Sequence, residues 1–579
     1  MPPHLASAPN LNHLWAALLV EELVRQGVGL FVVCPGSRST PLAVAVADNP
    51  RAQALVHWDE RAAAFLALGW GRATGRPAAV ITTSGTAVAN LLPAAVEADA
   101  DGVPLLLLTA DRPPELRETG ANQTVRQPPV FQDVARWMLD APVPSPAVSA
   151  RWVLSTAAQA VHRARQPAGP VHLNLPFREP LAAVADGVDL AAVLADVAEW
   201  TASAAPLTTW ERADGEVDPR LRDVIWAAQR GLVVAGPMAE PQPAVRLAEA
   251  LGWPLVPDVR SGLRLGAPAI AAPYADLALT SDRLRARPPQ AVIHLGGRLV
   301  SKRLGRALAA ARPGVYVQVD PSPARVDPDA LATHRIVAPV EAVAAAWAPG
   351  APTGAAGWRD AWSAASRAAG SVLDDLDGEP GIARAVARSL QPDEALVVAA
   401  SMPIRDLEAF APADGVRARV FANRGASGID GTVATAAGVA RGAGGRALLL
   451  IGDLALLHDL TSLALLRDGP PVTVVVVNND GGGIFHRLPI AAGPGALAAS
   501  TFERMFGTPH GLGFADAARL FGLAYHAPGT MPDLETALDA ARLSGASALV
   551  EIRTGRSEQA ARRAQIEAAA AAAVDAALA

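Results

Sequence analysis

Two polar breaks in apolar runs carry the first chemical signal. In "ALLLIGDLALLHDL" the run Ala447 to Ile451 ends in Gly452-Asp453. In "PVTVVVVNNDGGGIFH" the run ends in Asn478-Asn479, 26 positions after Asp453, and glycines follow at 481–483. Each run predicts a buried strand, and ligands of parallel sheets collect beyond the carboxyl ends of strands. Neighbouring strand ends would set Asp453 beside Asn479. A carboxylate, an amide oxygen and a loop carbonyl are hard donors suited to Mg²⁺, which takes the rest of its shell from phosphate and water. A helix opening at Gly452-Asp453 would turn its N-terminus to the same place and favour an anion. The glycines let the backbone come close. Either half alone reads as a helix cap or a plain turn; both at this spacing point to a cation site that also favours an anion.

A second candidate is Glu60, in "ALVHWDERAAAFLALGWGRATG", after an apolar strand and at the start of a helix. An acidic pair at a helix N-terminus also has a plain dipole explanation. A third group is cationic. Ser37 and Arg38 stand in "CPGSRSTPL", Arg112 in "TADRPPEL", Ser401 and Arg405 in "SMPIRDLEAF", Arg424 in "FANRGASGID", and Lys302 and Arg303 in "GRLVSKRLGR". Any one of these suits a solvated face. Together they suit a substrate with several carboxylates, since arginine pairs bidentately with that group.

These residues must be positioned by sheets. "GLFVVC", "AAVITTSG", "VPLLLLTA" and "GPVHLNLP" alternate with helical patterns up to about residue 185. The alternation recurs over about 215–350 with "GLVVAG", "WPLVPD", "QAVIHLGG" and "GVYVQVD". It recurs again from about 376 with "EALVVAAS", "ARVFANRG", "RALLLIGD", "PVTVVVVNN" and "ALVEIRT". The expected fold is α/β, with three consecutive doubly wound parallel-sheet domains, 1–185, 215–350 and 376–579. The stretches near 186–215 and 350–375 are rich in Ala, Pro, Gly and Thr and read as linkers. The alanine-rich C-terminus reads as a helix with no chemistry assigned.

Bulk properties exclude other classes. The chain has 579 residues, 51% hydrophobic and 18% charged, a globular balance, and a net charge of -6, against a nucleic-acid binder. Cys34 is the only cysteine, so no internal disulfide or cysteine metal cluster forms; in "LFVVC" it reads as a small core residue. The start lacks a signal-peptide pattern, and no apolar run reaches the roughly 18–20 residues of a membrane span. A cytoplasmic location is expected. Lys302 is the only lysine and sits in "SKR", which excludes a P-loop.

The spacing "GD-x24-NN" resembles the diphosphate–metal motif of the thiamine-diphosphate enzyme family, with Leu454 where glycine is common. The resemblance implies Mg²⁺ (or Mn²⁺) held by Asp453, Asn479 and the Gly481 carbonyl. It implies cofactor contacts from Gly452, Leu454, Gly482, Ile484 and Phe485. Glu60 would hydrogen-bond the cofactor's aminopyrimidine and be catalytic. "ITTSGTAVANLLPAAVEA" matches the family's Ser84-Gly85 segment, with Thr86 in place of proline, and Ile429 matches the residue that props the bent cofactor. The implied domains are pyrimidine-binding, central (Rossmann-like) and diphosphate-binding. The implied assembly is a homodimer or dimer of dimers, with sites shared between subunits.

"PGSRSTPL", "DRPPELRETGANQTVRQ", "SKRL" and "NRGASGIDGTVATAAG" further resemble the 2-succinyl-5-enolpyruvyl-6-hydroxy-3-cyclohexene-1-carboxylate synthase family of menaquinone biosynthesis. That resemblance implies decarboxylation of 2-oxoglutarate and 1,4-addition of the remaining four-carbon unit to isochorismate. Arg38, Arg112, Gln123, Lys302 and Arg303 would line the isochorismate side, near Ser37. Ser401, Arg405 and Arg424 would hold the 2-oxoglutarate-derived carboxylate. The alternatives are a flavin-containing, acetolactate synthase-like carboligase acting on pyruvate, and a non-catalytic cofactor-binding protein.

Overall fold

The computed structural model describes residues 2–210 and 219–579. Three sheets follow one another along the chain, and every strand pairing in them is parallel. The first comprises β1 (Leu30–Val33), β2 (Ala54–Val56), β3 (Ala78–Thr82), β4 (Leu105–Asp111), β5 (Trp137–Asp140) and β6 (Pro170–Pro176), in the order β2-β1-β3-β4-β6-β5. The second comprises β7 (Gly231–Ala235), β8 (Leu255–Pro257), β9 (Ala291–Leu295), β10 (Val315–Val319) and β11 (His334–Ile336), in the order β11-β10-β9-β7-β8. The third comprises β12 (Ala395–Val398), β13 (Val420–Phe421), β14 (Ala447–Gly452), β15 (Val472–Asn478), β16 (Ala524–His526) and β17 (Ala548–Arg553), in the order β13-β12-β14-β15-β17-β16. Renumbered from its own first strand, the third sheet has the order of the first. The central strands β3, β4, β14 and β15 are aliphatic and buried nearly throughout, as strands covered on both faces must be.

The chain divides into two compact units. One comprises Met1–Arg212, Asn423–Gly444 and Asp459–Gly469. Within it the helices Leu11–Arg25 and Ala150–Arg165 bury their apolar residues in one core with Phe31, Leu106 and Leu173 of the first sheet. The helices Glu60–Thr74 and Thr432–Ala443 cross closely, and glycine makes the crossing possible. A Cβ on Gly69 would lie 2.2 Å from the Thr435 carbonyl oxygen, and one on Gly438 would lie 2.1 Å from that of Leu66.

The other unit comprises Ala213–Ala422, Gly445–His458 and Pro470–Ala579 and holds the second and third sheets. The composition of 350–375 misled the linker reading. Ala356–Gly370 is a helix, and its Trp358 and Trp362 are buried with Phe410 and with Ile566, Ala570 and Val574 of the C-terminal helix Arg556–Ala577. Two tryptophans in one buried face outweigh the surrounding small residues, since each large ring removes far more apolar surface from water than an alanine does. The other expected linker carries short helices at Leu190–Ala195 and Ala198–Ala202, with Trp200 buried; 211–215 lies outside the described residues. No helix among the described residues is long and apolar enough to cross a membrane.

Candidate functional site

In a parallel sheet all carboxyl ends share one edge, so the loops after β1, β2, β3, β4 and β6 gather the first group of candidates. Glu60 is the first residue of the helix Glu60–Thr74, and Asp59 caps that helix by accepting from the Ala62 N–H at 3.1 Å. The capping role thus falls to Asp59 and leaves the Glu60 carboxyl for another partner. Beside them the buried Cys34 thiol is pushed up by burial and by the Glu60 and Asp59 carboxylates. Its titration range lies far above neutrality, which makes it a packing residue.

The loop after β3 carries Ser84 and Gly85. Gly85 adopts φ +86°, ψ −141°, and its N–H donates to the Oε1 of buried Gln127 at 3.3 Å. A Cβ there would lie 2.9 Å from Gln123 Cγ. Gln123 itself donates to the Ser84 carbonyl at 2.9 Å, and the Ser84 hydroxyl donates to the Gln123 carbonyl at 3.0 Å. Arg112, from the end of β4, donates to the Ser84 hydroxyl. Burial and the neighbouring Arg38 guanidinium both lower the Arg112 pKa, so two cations face the same space. Arg38 is held by the Phe177 carbonyl at 2.8 Å and by Glu179 at 3.2 Å. Arg38, Ser84, Gly85, Arg112 and Gln123 therefore form one cluster, while Ser37 is exposed at its rim. Sequence reasoning missed Gln127 and Glu179; Gln127 stands in the quoted "TVRQ" but has no charge to mark it.

Arg424 and Ile429 sit on a loop of the same unit. That loop is pinned by Glu97, whose carboxylate accepts from the Gly425 and Ala426 N–H groups at 2.9 and 2.7 Å and pairs with Arg72 at 3.0 Å. Phe65, Leu92, Glu97, Asn423 and Asp430 line a cavity of about 390 Å³ beside this loop.

The second group lies in the other unit, at the ends of β12, β14, β15 and β17. Gly452 of β14 stands opposite Val477 of β15, so Asp453 and Asn479 emerge side by side. Asp453 Oδ1 accepts from the Leu454 N–H at 2.7 Å, and Oδ2 accepts from the Gly481 N–H at 2.9 Å. Asn479 Nδ2 donates to Glu379 Oε1 at 2.8 Å, and its carbonyl accepts from Arg556 at 3.2 Å. Asn479 Oδ1 is buried and has no donor among the described residues. An orphaned buried amide oxygen costs about 1–3 kcal/mol. On the strand end next to that of Asp453, it fits a hard cation, which would offset that cost. Gly481 takes φ +133°, and a Cβ on it would stand 2.0 Å from the Gly507 carbonyl oxygen. Among the described residues its own carbonyl accepts only from Gly483, at 3.0 Å, which leaves a lone pair for a cation. Gly482, like Gly481, admits no Cβ, because the Phe506 carbonyl would lie 2.2 Å away. Ile484 and Phe485 continue as a 3₁₀ turn, with Phe485 edge-on to Phe506.

Sequence reasoning missed three residues here. His510 reaches Asp453 Oδ2 at 3.2 Å. Glu379 lies in the first turn of the helix Gly378–Ser389 and is pushed up to about 7 by burial and by the Asp406 and Asp453 carboxylates, against hydrogen bonds from Asn479 and Thr554. Arg556 opens the C-terminal helix and also pairs with Glu503 at 2.6 Å. Each is distant in sequence from its partner, and none stands in a recognisable motif.

The remaining cations lie in this same unit. Ser401 takes φ +70°, ψ −128°, a costly conformation for a residue with a side chain and one that collects at functional sites. Its carbonyl accepts from Arg405. Lys302 and Arg303 open the helix Lys302–Ala311 after β9. Lys302 is exposed, whereas Arg303 is paired with Asp276 at 2.6 Å and Glu567 at 3.0 Å.

Comparison with known proteins identifies the family. Residues 15–130 match the model "Thiamine pyrophosphate enzyme, N-terminal TPP binding domain", and residues 191–398 match "Middle domain of thiamine pyrophosphate". A 2-succinyl-5-enolpyruvyl-6-hydroxy-3-cyclohexene-1-carboxylate synthase of Rubrobacter xylanophilus is 54% identical over 570 residues, covering 95% of this chain and 97% of that protein. Proteins of the same name from Salinibacter ruber and Chlorobium luteolum are 50% and 41% identical, over 95% and 94% of this chain and 95% of each relative. The chain belongs to the thiamine-diphosphate-dependent 2-succinyl-5-enolpyruvyl-6-hydroxy-3-cyclohexene-1-carboxylate synthase family.

Proposed function

We propose that the chain decarboxylates 2-oxoglutarate and joins the remaining four-carbon unit to isochorismate by 1,4-addition, giving 2-succinyl-5-enolpyruvyl-6-hydroxy-3-cyclohexene-1-carboxylate and CO2. The observation that carries this is the 54% identity to a synthase of that name over nearly the full length of both chains. Thiamine diphosphate, when bound, supplies the nucleophilic carbon and the electron sink. Asp453, Asn479 and the Gly481 carbonyl would hold Mg²⁺ or Mn²⁺ against its diphosphate; the unpaired Asn479 Oδ1 supports that assignment. Gly452, Leu454, Gly482, Ile484, Phe485, Ser84, Gly85 and Ile429 would line the cofactor.

Glu60 would hydrogen-bond the aminopyrimidine through its carboxyl and move a proton there. Arg38, Arg112 and Gln123, with Ser37, Lys302 and Arg303, would bind isochorismate. Ser401, Arg405 and Arg424 would bind the carboxylate derived from 2-oxoglutarate. The paired placement of Arg38 and Arg112 supports an anionic ligand, and each charge-assisted contact contributes roughly 1.5–3 kcal/mol when shielded from water. The reading assigns 1–185, 215–350 and 376–579 to pyrimidine-binding, central and diphosphate-binding domains. It includes a cytoplasmic enzyme that is at least a homodimer. The test is a coupled assay with 2-oxoglutarate, isochorismate, thiamine diphosphate and Mg²⁺, with the product identified by mass. Turnover of pyruvate with no isochorismate product would overturn it.

A further inference from the structure

Two side chains outside the cofactor motif decide which atoms of Asp453 and Asn479 are left for a cation. Glu379 is 6% exposed and its Oε1 accepts from Asn479 Nδ2 at 2.8 Å and from the Thr554 hydroxyl at 3.3 Å. An acceptor at that position selects the NH₂ end of the amide and turns Oδ1 the other way, where no donor meets it.

His510 does the corresponding work at Asp453. Its Nδ1 accepts from the Leu512 N–H at 3.0 Å, which places the ring proton of the neutral imidazole on Nε2. That Nε2 lies 3.2 Å from Asp453 Oδ2, which already accepts from the Gly481 N–H at 2.9 Å. Two donors occupy both lone pairs of Oδ2. Oδ1 has one donor, the Leu454 N–H, and keeps one lone pair. The ring is fixed in turn by its own main chain: the His510 and Gly511 N–H groups donate to Asp480 Oδ1 at 2.8 and 2.7 Å.

We infer that Glu379 and His510 are positioning residues that present Asn479 Oδ1 and Asp453 Oδ1 to the cofactor's divalent cation. The inference rests on the metal assignment made above. It extends the clamp beyond the strand-end motif, to residues about 100 positions before Asn479 and 57 after Asp453. Partners that orient metal ligands typically change metal affinity 10–100-fold when removed.

The test is Mn²⁺ affinity of the full chain with saturating thiamine diphosphate, read by electron paramagnetic resonance of free Mn²⁺. Glu379→Leu is expected to weaken Mn²⁺ binding about tenfold or more. Glu379→Gln keeps an acceptor oxygen and is expected to stay within about threefold of wild type. His510→Ala, at a partly open loop whose loss does not threaten the core, is expected to weaken binding about tenfold. Wild-type affinity in either Glu379→Leu or His510→Ala would overturn the inference. Asp453→Ala separates the two levels. If it abolishes Mn²⁺ binding while those variants bind normally, only the positioning role fails. If it too binds normally, the metal assignment itself fails.

Discussion

Arg303 is paired to Asp276, with Nη1 2.6 Å from the carboxylate and 2.9 Å from the Asp276 carbonyl, while its neighbour Lys302 is exposed and has no ion-pair partner among the described residues. Adjacent cations thus have different duties. Lys302→Ala should lower isochorismate use with little change in melting temperature. Arg303→Ala should also destabilise the fold, by about 1–3 kcal/mol, because Asp276 and Glu567 lose a partner. Both should impair isochorismate addition more than decarboxylation of 2-oxoglutarate. Parallel assays of the two half-reactions, with thermal melts, check this; equal losses in both half-reactions would contradict it.

Gly481→Ala should weaken thiamine diphosphate–Mg²⁺ binding roughly tenfold or more, because the added Cβ meets the Gly507 carbonyl and would move the proposed cation ligand. Isothermal titration of the holo-cofactor mixture reads the loss. Unchanged affinity would mean that the loop around Gly481 does not touch the cofactor.

Glu21 gives a pH prediction. It is fully buried, and burial alone would raise its pKa, but hydrogen bonds from His4, Arg25, Arg51 and Asn49 outweigh that and bring it to about 2. A carboxyl held below its unfolded value of 4.5 stabilises the fold above that pH and loses the contribution as pH falls towards 2. The loss amounts to about 2–3 kcal/mol across the window. Wild type should therefore lose more stability than Glu21→Gln between pH 4.5 and 2 in matched denaturant titrations. Parallel curves for the two proteins would contradict it.

How much was legible in the sequence follows burial and distance along the chain. Central strands such as β14 and β15 are largely aliphatic runs with polar tips, so both the strand and its candidate ligands could be read from one segment. The edge strands β5, β11 and β16 escaped notice. They are short and only partly buried: "HRI" and "AYH" carry no apolar run, and that of "WMLD" is three residues long. The helix Ala356–Gly370 was hidden by its alanines and glycines, although Trp358 and Trp362 fix it in the core. Asp453 and Asn479 were legible because two adjacent parallel strands present them. Glu379, His510 and Arg556 were not, because each meets its partner only after folding and each residue type is common on surfaces.

The central claim is that Glu60 supplies the proton-moving carboxyl while Asp453 and Asn479 hold the cation that binds the diphosphate. Asp59 already caps the helix, so Glu60→Gln should leave the fold intact. The most direct measurement is the carboligation rate of Glu60→Gln beside its thiamine diphosphate–Mg²⁺ affinity. The account predicts a rate at least a hundredfold below wild type, with affinity changed by less than about tenfold. A wild-type rate in that variant would contradict it.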